Sequence, residues 1–587
     1  MRARKLLVAA IAATTLTTAG ASAIATTDVQ SHGGAAGRFD KPQQGFASQR
    51  TVLRDGKPAE VGLDPAPIAA AEQFLESWTK PDATGHPHFS GAVGLLAHDG
   101  VIVDKYAVGG ALRYADGTAG TELPADQQVP MRADTIFDMA SISKLFTSIA
   151  VMQLVEQGKI DLDAAVMTYL PEFGVYEKQS ITVKQLLTHV SGLDADPIPS
   201  LWQGYPDIPS RRKAVLDSKL KNPPGTQYLY SDINLLTLGF IVEKLTGLPL
   251  DAVVHDRIAA PLGMADTGYN PPAAKLDRIA ATEFEANPPR GMVRGEVHDE
   301  NAWSLGGVAG HAGVFSTAGD MAVLAQAILN GGSYRGQRIL RPETVRSMLT
   351  NYNQAFPGNE HGLGFELDQM WYMGALASPV SGGHTGYTGT TLVIDPESRS
   401  FAILLTNRVH PSRAWGSINA ARETWATSLA KSMAVRPTAG RDAWFSGIGN
   451  LSTATLTTRP LASRDGTLIV SFDAFVDTEE TDLLVLESST DGTTWQPVAV
   501  RANGPGAPRG EVNALSGHGH RAWWKVCAEV VTTSSITVRW RYNTDMRYTG
   551  RGVLVDRLRV TERGRTILDG EHEASAFTAD GWVLNSR

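Results

Sequence analysis

The stretch Asp138-Met139-Ala140-Ser141-Ile142-Ser143-Lys144-Leu145-Phe146-Thr147-Ser148-Ile149 couples a reactive pair to the start of an apolar run. Ser141 and Lys144 are three positions apart, which on a helix puts both side chains on one face within mutual reach. In a first helical turn Ser141 also meets unpaired backbone N–H groups and the positive end of the helix dipole, which favour developing negative charge. A serine hydroxyl becomes a competent nucleophile when a base takes its proton, and a partly desolvated lysine amine is such a base. Ser-x-x-Lys occurs five times, at Ser77, Ser141, Ser210, Ser218 and Ser428. Only Ser141 opens a long apolar helix, carrying Leu145, Phe146, Ile149, Val151, Met152, Leu154 and Val155 to a Gln157-Gly158 stop. Apolar nearly all round, this helix is expected to be buried, with the serine at its cleft-facing end.

Upstream, Gly91 to Leu96 and Val101 to Val108 flank His98-Asp99-Gly100, a hairpin signal, and a helix is expected over Pro65 to Trp78. Downstream, helical patterns dominate from Ile160 to about Pro272, and Ser381 to Asp395 and Phe401 to Thr406 read as adjacent strands. Strands, a mainly helical block, then returning strands predict an α/β fold, with an antiparallel sheet, flanking helices and an all-helical subdomain. Beyond Val435 short alternating strands take over, with turns at Asp491-Gly492, Asp569-Gly570 and Asp580-Gly581. Residues 436–587 therefore read as a separate all-β sandwich, and residues 61–435 as the α/β domain.

The 587 residues allow two or three domains, and a net charge of −8 over that length implies no polyanion-binding surface, so nucleic acid is not an expected partner. Met1-Arg2-Ala3-Arg4-Lys5, the apolar Leu6 to Gly20 and Ala21-Ser22-Ala23 form a secretory signal over residues 1–25. The mature protein is expected to be secreted, without a membrane span, behind a flexible leader over residues 26–60. Cys527, the one cysteine, rules out intramolecular disulfides and reads as a small buried hydrophobe in a strand.

Two further groups of residues carry chemistry. Tyr230 follows the Asn222-Pro223-Pro224-Gly225 turn, where it can be held in a cleft and relay the serine proton to a leaving group. The alternative is a half-buried loop tyrosine. Gly383-His384-Thr385-Gly386-Tyr387-Thr388-Gly389 starts a strand whose glycines let a substrate backbone approach the edge, and a backbone N–H here can pair with that of Ser141 as an oxyanion hole. His384 reads either as a structural strand-end histidine or as a cation for a substrate carboxylate.

The order of these motifs, Ser-Ile-Ser-Lys, then Tyr-Ser-Asp, then His-Thr-Gly before a strand, resembles the penicillin-recognising serine hydrolases. That group includes class C β-lactamases, D-alanyl-D-alanine carboxypeptidases, D-aminopeptidases and related esterases. Leu186 to Leu193, Pro261 to Met264, Gly310 to Gly313 and Leu405 to Arg408 are similar to phrases of the β-lactamase-related branch. The resemblance spans about Val61 to Ala434 and implies a β-lactamase/transpeptidase-like fold. It implies Ser141 as the acylated nucleophile, Lys144 as its proton acceptor and Tyr230 as the proton shuttle. His384, Thr385 and Gly386 would bind substrate, and the N–H groups of Ser141 and Tyr387 would form the oxyanion hole, with no metal or cofactor.

Two departures shift the expected substrate. The family's Tyr-x-Asn is Tyr230-Ser231-Asp232 here, so an amide becomes an acceptor-only carboxylate that can pair with Lys144 or favour a substrate amine. His384 replaces a lysine. Both lean towards D-alanyl peptides, such as those of the cell wall, or small esters, ahead of β-lactams; the alternatives are a genuine β-lactamase or a non-catalytic binder of wall peptides or glycans. His189 and His311 are expected in structural hydrogen-bonding roles. The C-terminal Arg539 to Asp545 and Gly550 to Asp556 resemble the β-sandwich of immune-inhibitor-A-type secreted metallopeptidases, which implies surface or glycan attachment. Asp477, Glu479, Glu480, Asp482 and Asp556 read as a solvated acidic loop, with Ca²⁺ binding as the alternative.

Overall fold

The computed structural model describes residues 37–117, 119–464, 466–518, 520–532 and 534–587. The signal segment 1–25 and the first part of the leader lie outside the described residues. A central sheet runs in the order Arg54–Asp55, Val101–Leu112, Gly91–His98, Ser400–Thr406, Thr390–Asp395, Gly382–Thr385 and Glu366–Leu367. Every pairing along this path is antiparallel except that of Arg54–Asp55 with Val101 and Ile102. The hairpin and the returning strands thus meet in one sheet, His98 opposite Ser400 and Ala92 opposite Thr406.

The helix Ser143–Glu156 is buried from Ser143 to Leu154, as its all-round apolar pattern requires. Leu145, Phe146 and Ile149 are 0% exposed, and each such side chain contributes ~1.5–3 kcal/mol on burial. This helix and Asp232–Thr246 share a large core with Leu95, Ile403 and Leu405 on one face of the sheet. The helices Pro65–Trp78 and Asn419–Ser432 cover the other face, where Trp425 packs so closely on Gly94 that a Cβ there would sit 2.3 Å from the indole.

The leader is more ordered than its composition predicts. From Gly37 onward it is tied down: the Gly37 N–H donates to His98 Nε2 (2.9 Å), the Phe39 N–H donates to the Ala434 carbonyl (2.8 Å), and Phe39 is buried. A few long-range contacts hold this segment, and no local periodicity announces them.

After Val435 come two antiparallel sheets, one ordered around Thr467–Asp477 and Gly552–Glu562 and one around Leu483–Ser489 and Thr537–Asn543. Val470, Phe472 and Val560 of the first meet Leu456, Leu486 and Trp540 of the second in a common core. Cys527 departs from expectation. Along Trp523–Val531 burial alternates, and Cys527 falls on the exposed face. The same region joins the hydrolase core, since Phe475 and Leu554 pack with Phe39, Trp425 and Val435.

Candidate active site

Ser141 sits in the short 3₁₀ turn Ala140–Ile142 that leads into the buried helix, and Lys144 lies in that helix's first turn. Lys144 Nζ is 2.8 Å from Ser141 Oγ, 3.2 Å from the His311 carbonyl and 2.7 Å from Asp232 Oδ1, with the lysine 1% exposed. Ala140, immediately before the serine, has φ 46°. A residue with a Cβ is strained there by ~1–2 kcal/mol. The Asp138 carboxylate holds the bend, accepting from the Ala140 N–H (2.8 Å) and the His298 N–H (2.6 Å).

Tyr230 precedes the helix Asp232–Thr246, whose first residue turns its carboxylate to Lys144. Lys144 Nζ lies 4.8 Å from the centre of the Tyr230 ring. Burial, followed by the nearby Asp232 charge, pushes the phenol well above its ordinary value, while a hydrogen bond to Ser141 pulls the other way. Tyr230 is therefore a neutral phenol in contact with the serine. Behind it His189 stacks at 4.7 Å and accepts the Ser231 N–H on Nδ1 (3.0 Å). Burial and neighbouring positive charge keep His189 well below the usual imidazole value, so it is a neutral support.

His311 is also a support. Its Nε2 meets Asp299 Oδ1 at 3.0 Å; burial opposes its charge, but the Asp299 and Asp232 carboxylates outweigh that and raise it.

The strand Gly382–Thr385 forms the other wall. Thr388 Oγ1 donates to the Asp138 carbonyl (2.7 Å) and Thr390 Oγ1 to the Met139 carbonyl (3.0 Å), which stitches the 386–390 turn to the segment before Ser141. Gly386 makes this approach; a Cβ there would lie 2.1 Å from Thr390 Oγ1 and 2.5 Å from the Met139 carbonyl oxygen. Tyr387 follows at the lip, 52% exposed, its ring stacked 5.9 Å from His298.

His384 departs from one of its two readings. It is 1% exposed, and burial together with Lys144 pushes it down to about 3, so it is neutral and no cation for a carboxylate. Its Nδ1 meets the Thr385 carbonyl at 2.8 Å and so carries the proton, which leaves Nε2 as an acceptor.

Ser141, Tyr230, His384, Thr385, Gly386 and Tyr387 all line one cleft of about 650 Å³. Asn419 and Arg422, on the first turn of the helix Asn419–Ser432, line it as well, with Glu366 on the edge strand. Arg422 donates to the Gly386 carbonyl (2.8 Å), Thr391 Oγ1 (3.0 Å) and Asn419 Oδ1 (3.0 Å). Sequence reasoning missed these three. Arg422 and Asn419 are one helical turn apart, a spacing that becomes a signal only once that helix is known to reach the cleft.

Among the described residues, three groups of side chains offer ligand atoms within 4.8 Å of one another: Asp232, Asp299 and His311; Glu283, Glu285 and His298; Glu479, Asp482 and Asp545. Lys144 Nζ already contacts Asp232 of the first, and the guanidinium groups of Arg290 and Arg413 pair with the second. In the third, two of the acidic residues read from the sequence come together with Asp545. Asp477 and Asp556 are instead spent on protein donors, Asp477 on the Arg551 N–H (3.0 Å) and Asp556 on Thr438.

The β-lactamase family model matches residues 73–423, and the chain belongs to that family. It is a serine hydrolase of the β-lactamase-related kind. An Escherichia coli K12 protein named "Putative D-alanyl-D-alanine carboxypeptidase" is 33% identical over 399 residues, covering 62% of this chain and 87% of the relative. A Salmonella schwarzengrund protein of the same name is 35% identical, covering 64% of this chain and 90% of the relative. Among solved structures, a penicillin-binding protein homologue from Caulobacter crescentus aligns with TM-score 0.48 and 22% identity over 63% of this chain and 99% of that chain. A family VIII carboxylesterase aligns with TM-score 0.46 and 21% identity over 62% of this chain and 96% of that chain.

Proposed function

We propose that this protein is a secreted hydrolase that acts through an acyl-enzyme on Ser141, with D-alanyl peptides or small esters as substrates. The observation that carries the reading is the contact of Lys144 Nζ with Ser141 Oγ at 2.8 Å, held on its far side by Asp232. Lys144 takes the serine proton as Oγ attacks the substrate carbonyl. The N–H groups of Ser141 and Tyr387 stabilise the oxyanion. Tyr230, a neutral phenol touching the serine, passes a proton to the leaving group, and water then releases the acyl group by the reverse relay. Thr385 and Gly386 offer the strand edge to the substrate backbone, and Arg422 places positive charge beside it for a substrate carboxylate. A pure binding protein has no use for the assembled Ser141, Lys144 and Tyr230. The C-terminal sheets are assigned to attachment at a surface glycan.

Ser141→Ala is expected to abolish turnover of p-nitrophenyl esters and D-alanyl peptides, by a factor on the order of 10⁶. A fluorophosphonate should label the parent protein at Ser141 and leave the variant unlabelled. Full activity in Ser141→Ala, or labelling at another serine, overturns the assignment.

A further inference from the structure

Two buried acceptors in the cleft, Glu366 Oε2 and His384 Nε2, have no partner in full hydrogen-bond geometry among the described residues, although the Tyr372 hydroxyl approaches Glu366 and pulls on its carboxyl as a hydrogen-bond donor. Glu366 stands where the edge of the sheet opens. It pairs with Gly383 in a two-residue strand, and the chain then turns away at Phe365, whose carbonyl accepts the Gly362 N–H (2.8 Å). The edge from His384 to Tyr387 is left uncovered beside Ser141, so a substrate laid along it passes both acceptors. Arg422, the nearest cation on the neighbouring helix, is engaged by Gly386, Thr391 and Asn419 and forms no ion pair with Glu366. A hydroxyl would satisfy the hydrogen bonds but would leave the carboxylate charge unanswered. A group with several N–H donors and a positive charge answers both.

We propose that Glu366, with His384 Nε2, forms a subsite for a substrate ammonium group and makes this hydrolase prefer amine-bearing acyl donors to neutral ones. The assignment rests on the acyl-enzyme reading of Ser141. Glu366 is faced by Tyr372 from the short helix Met370–Met373, by Tyr228 and Tyr230 from the loop before the helix Asp232–Thr246, by Arg422 from the helix Asn419–Ser432 and, further off, by Lys144. Burial pushes its carboxyl up to about 7, against the pull of Tyr372, Arg422 and Lys144. The ammonium-binding form is the ionised one, so preference for the amine strengthens as pH rises through about 7.

The test compares p-nitrophenyl 6-aminohexanoate with p-nitrophenyl heptanoate, which places a methyl where the other has its ammonium. The readout is the ratio of their kcat/KM values. The parent enzyme should favour the amine ester, Glu366→Gln should cut that ratio about tenfold, the worth of one charge-assisted hydrogen bond, and Glu366→Asp should restore part of it. In the parent enzyme the ratio should also climb between pH 6 and pH 8, a measurement that needs no variant. A ratio near one at pH 8, or a preference untouched in Glu366→Gln, overturns the subsite. Fluorophosphonate labelling of Ser141 separates the two claims: lost labelling defeats the acyl-enzyme reading, while intact labelling with no amine preference defeats the ammonium subsite alone.

Discussion

Replacing Arg521 by methionine tests how the C-terminal sheets are joined to the hydrolase region. Arg521 and Asp395 have side chains that are both 0% exposed, and Arg521 Nη1 donates to Asp395 Oδ2 at 2.7 Å. Nη2 donates to the Leu376 carbonyl (3.1 Å), and the guanidinium lies 4.3 Å from the centre of the Phe39 ring. Arg521→Met keeps most of the side chain's volume but leaves the Asp395 carboxylate buried without its cation, a loss of about 3–5 kcal/mol. Adding Asp395→Asn removes the stranded charge, so the double variant should be more stable than Arg521→Met alone by over ~1 kcal/mol. If the described chain unfolds as one unit, an unfolding entropy of about 2.1 cal/mol/K per residue makes 4 kcal/mol worth roughly 3.5 °C in Tm. Scanning calorimetry should show one transition that moves as a whole, and loss of fluorophosphonate labelling should track it. Two resolved transitions with the hydrolase one unmoved, or a double variant less stable than the single, would refute the reasoning.

Two further outcomes are expected. His98 is buried between the Gly37 N–H and Ser400 Oγ and is pushed down to about 4 by burial; below its unfolded value of about 6.5 only the unfolded chain takes the proton, so its stabilising contribution, on the order of 3 kcal/mol, is lost as pH falls towards 4. The stability gap between the parent and His98→Gln, measured by urea unfolding, should therefore close between pH 7 and pH 4.5. His384, held near 3, does not titrate in the working range; His384→Gln should change the level of kcat/KM without moving the limbs of its pH profile, and a displaced acid limb would contradict the neutral assignment.

Residues that short spacings bring together were legible. Ser141 and Lys144 needed only the helix they open, the Asp99-Gly100 turn set the hairpin, and the Asp232 carboxylate was foreseen as a partner for Lys144. What stayed hidden arises between segments far apart in the chain. Glu366 reaches the cleft because a two-residue strand docks on Gly382–Thr385, and Arg422 because a helix near the end of the family region folds back over the sheet. No periodicity encodes either event. The charge state of His384 was hidden for a related reason: a strand-end histidine reads the same whether its ring is wet or dry, and here burial decides.

The composition shift near Val435 shows where a change of pattern stops being informative. It marks a change of secondary structure, from helices to short strands, and the fold follows it. It does not mark a break in the core. Arg551 donates to the Ala430 and Met433 carbonyls at the end of the helix Asn419–Ser432, and its guanidinium lies 5.2 Å from the Phe39 ring, which Arg521 also covers. The end of that helix would otherwise leave carbonyls without partners. Its first turn carries Asn419 and Arg422 into the cleft. The C-terminal sheets therefore complete one end of an element whose other end lines the candidate site, so the two regions are joined through a shared packed helix and not by a tether.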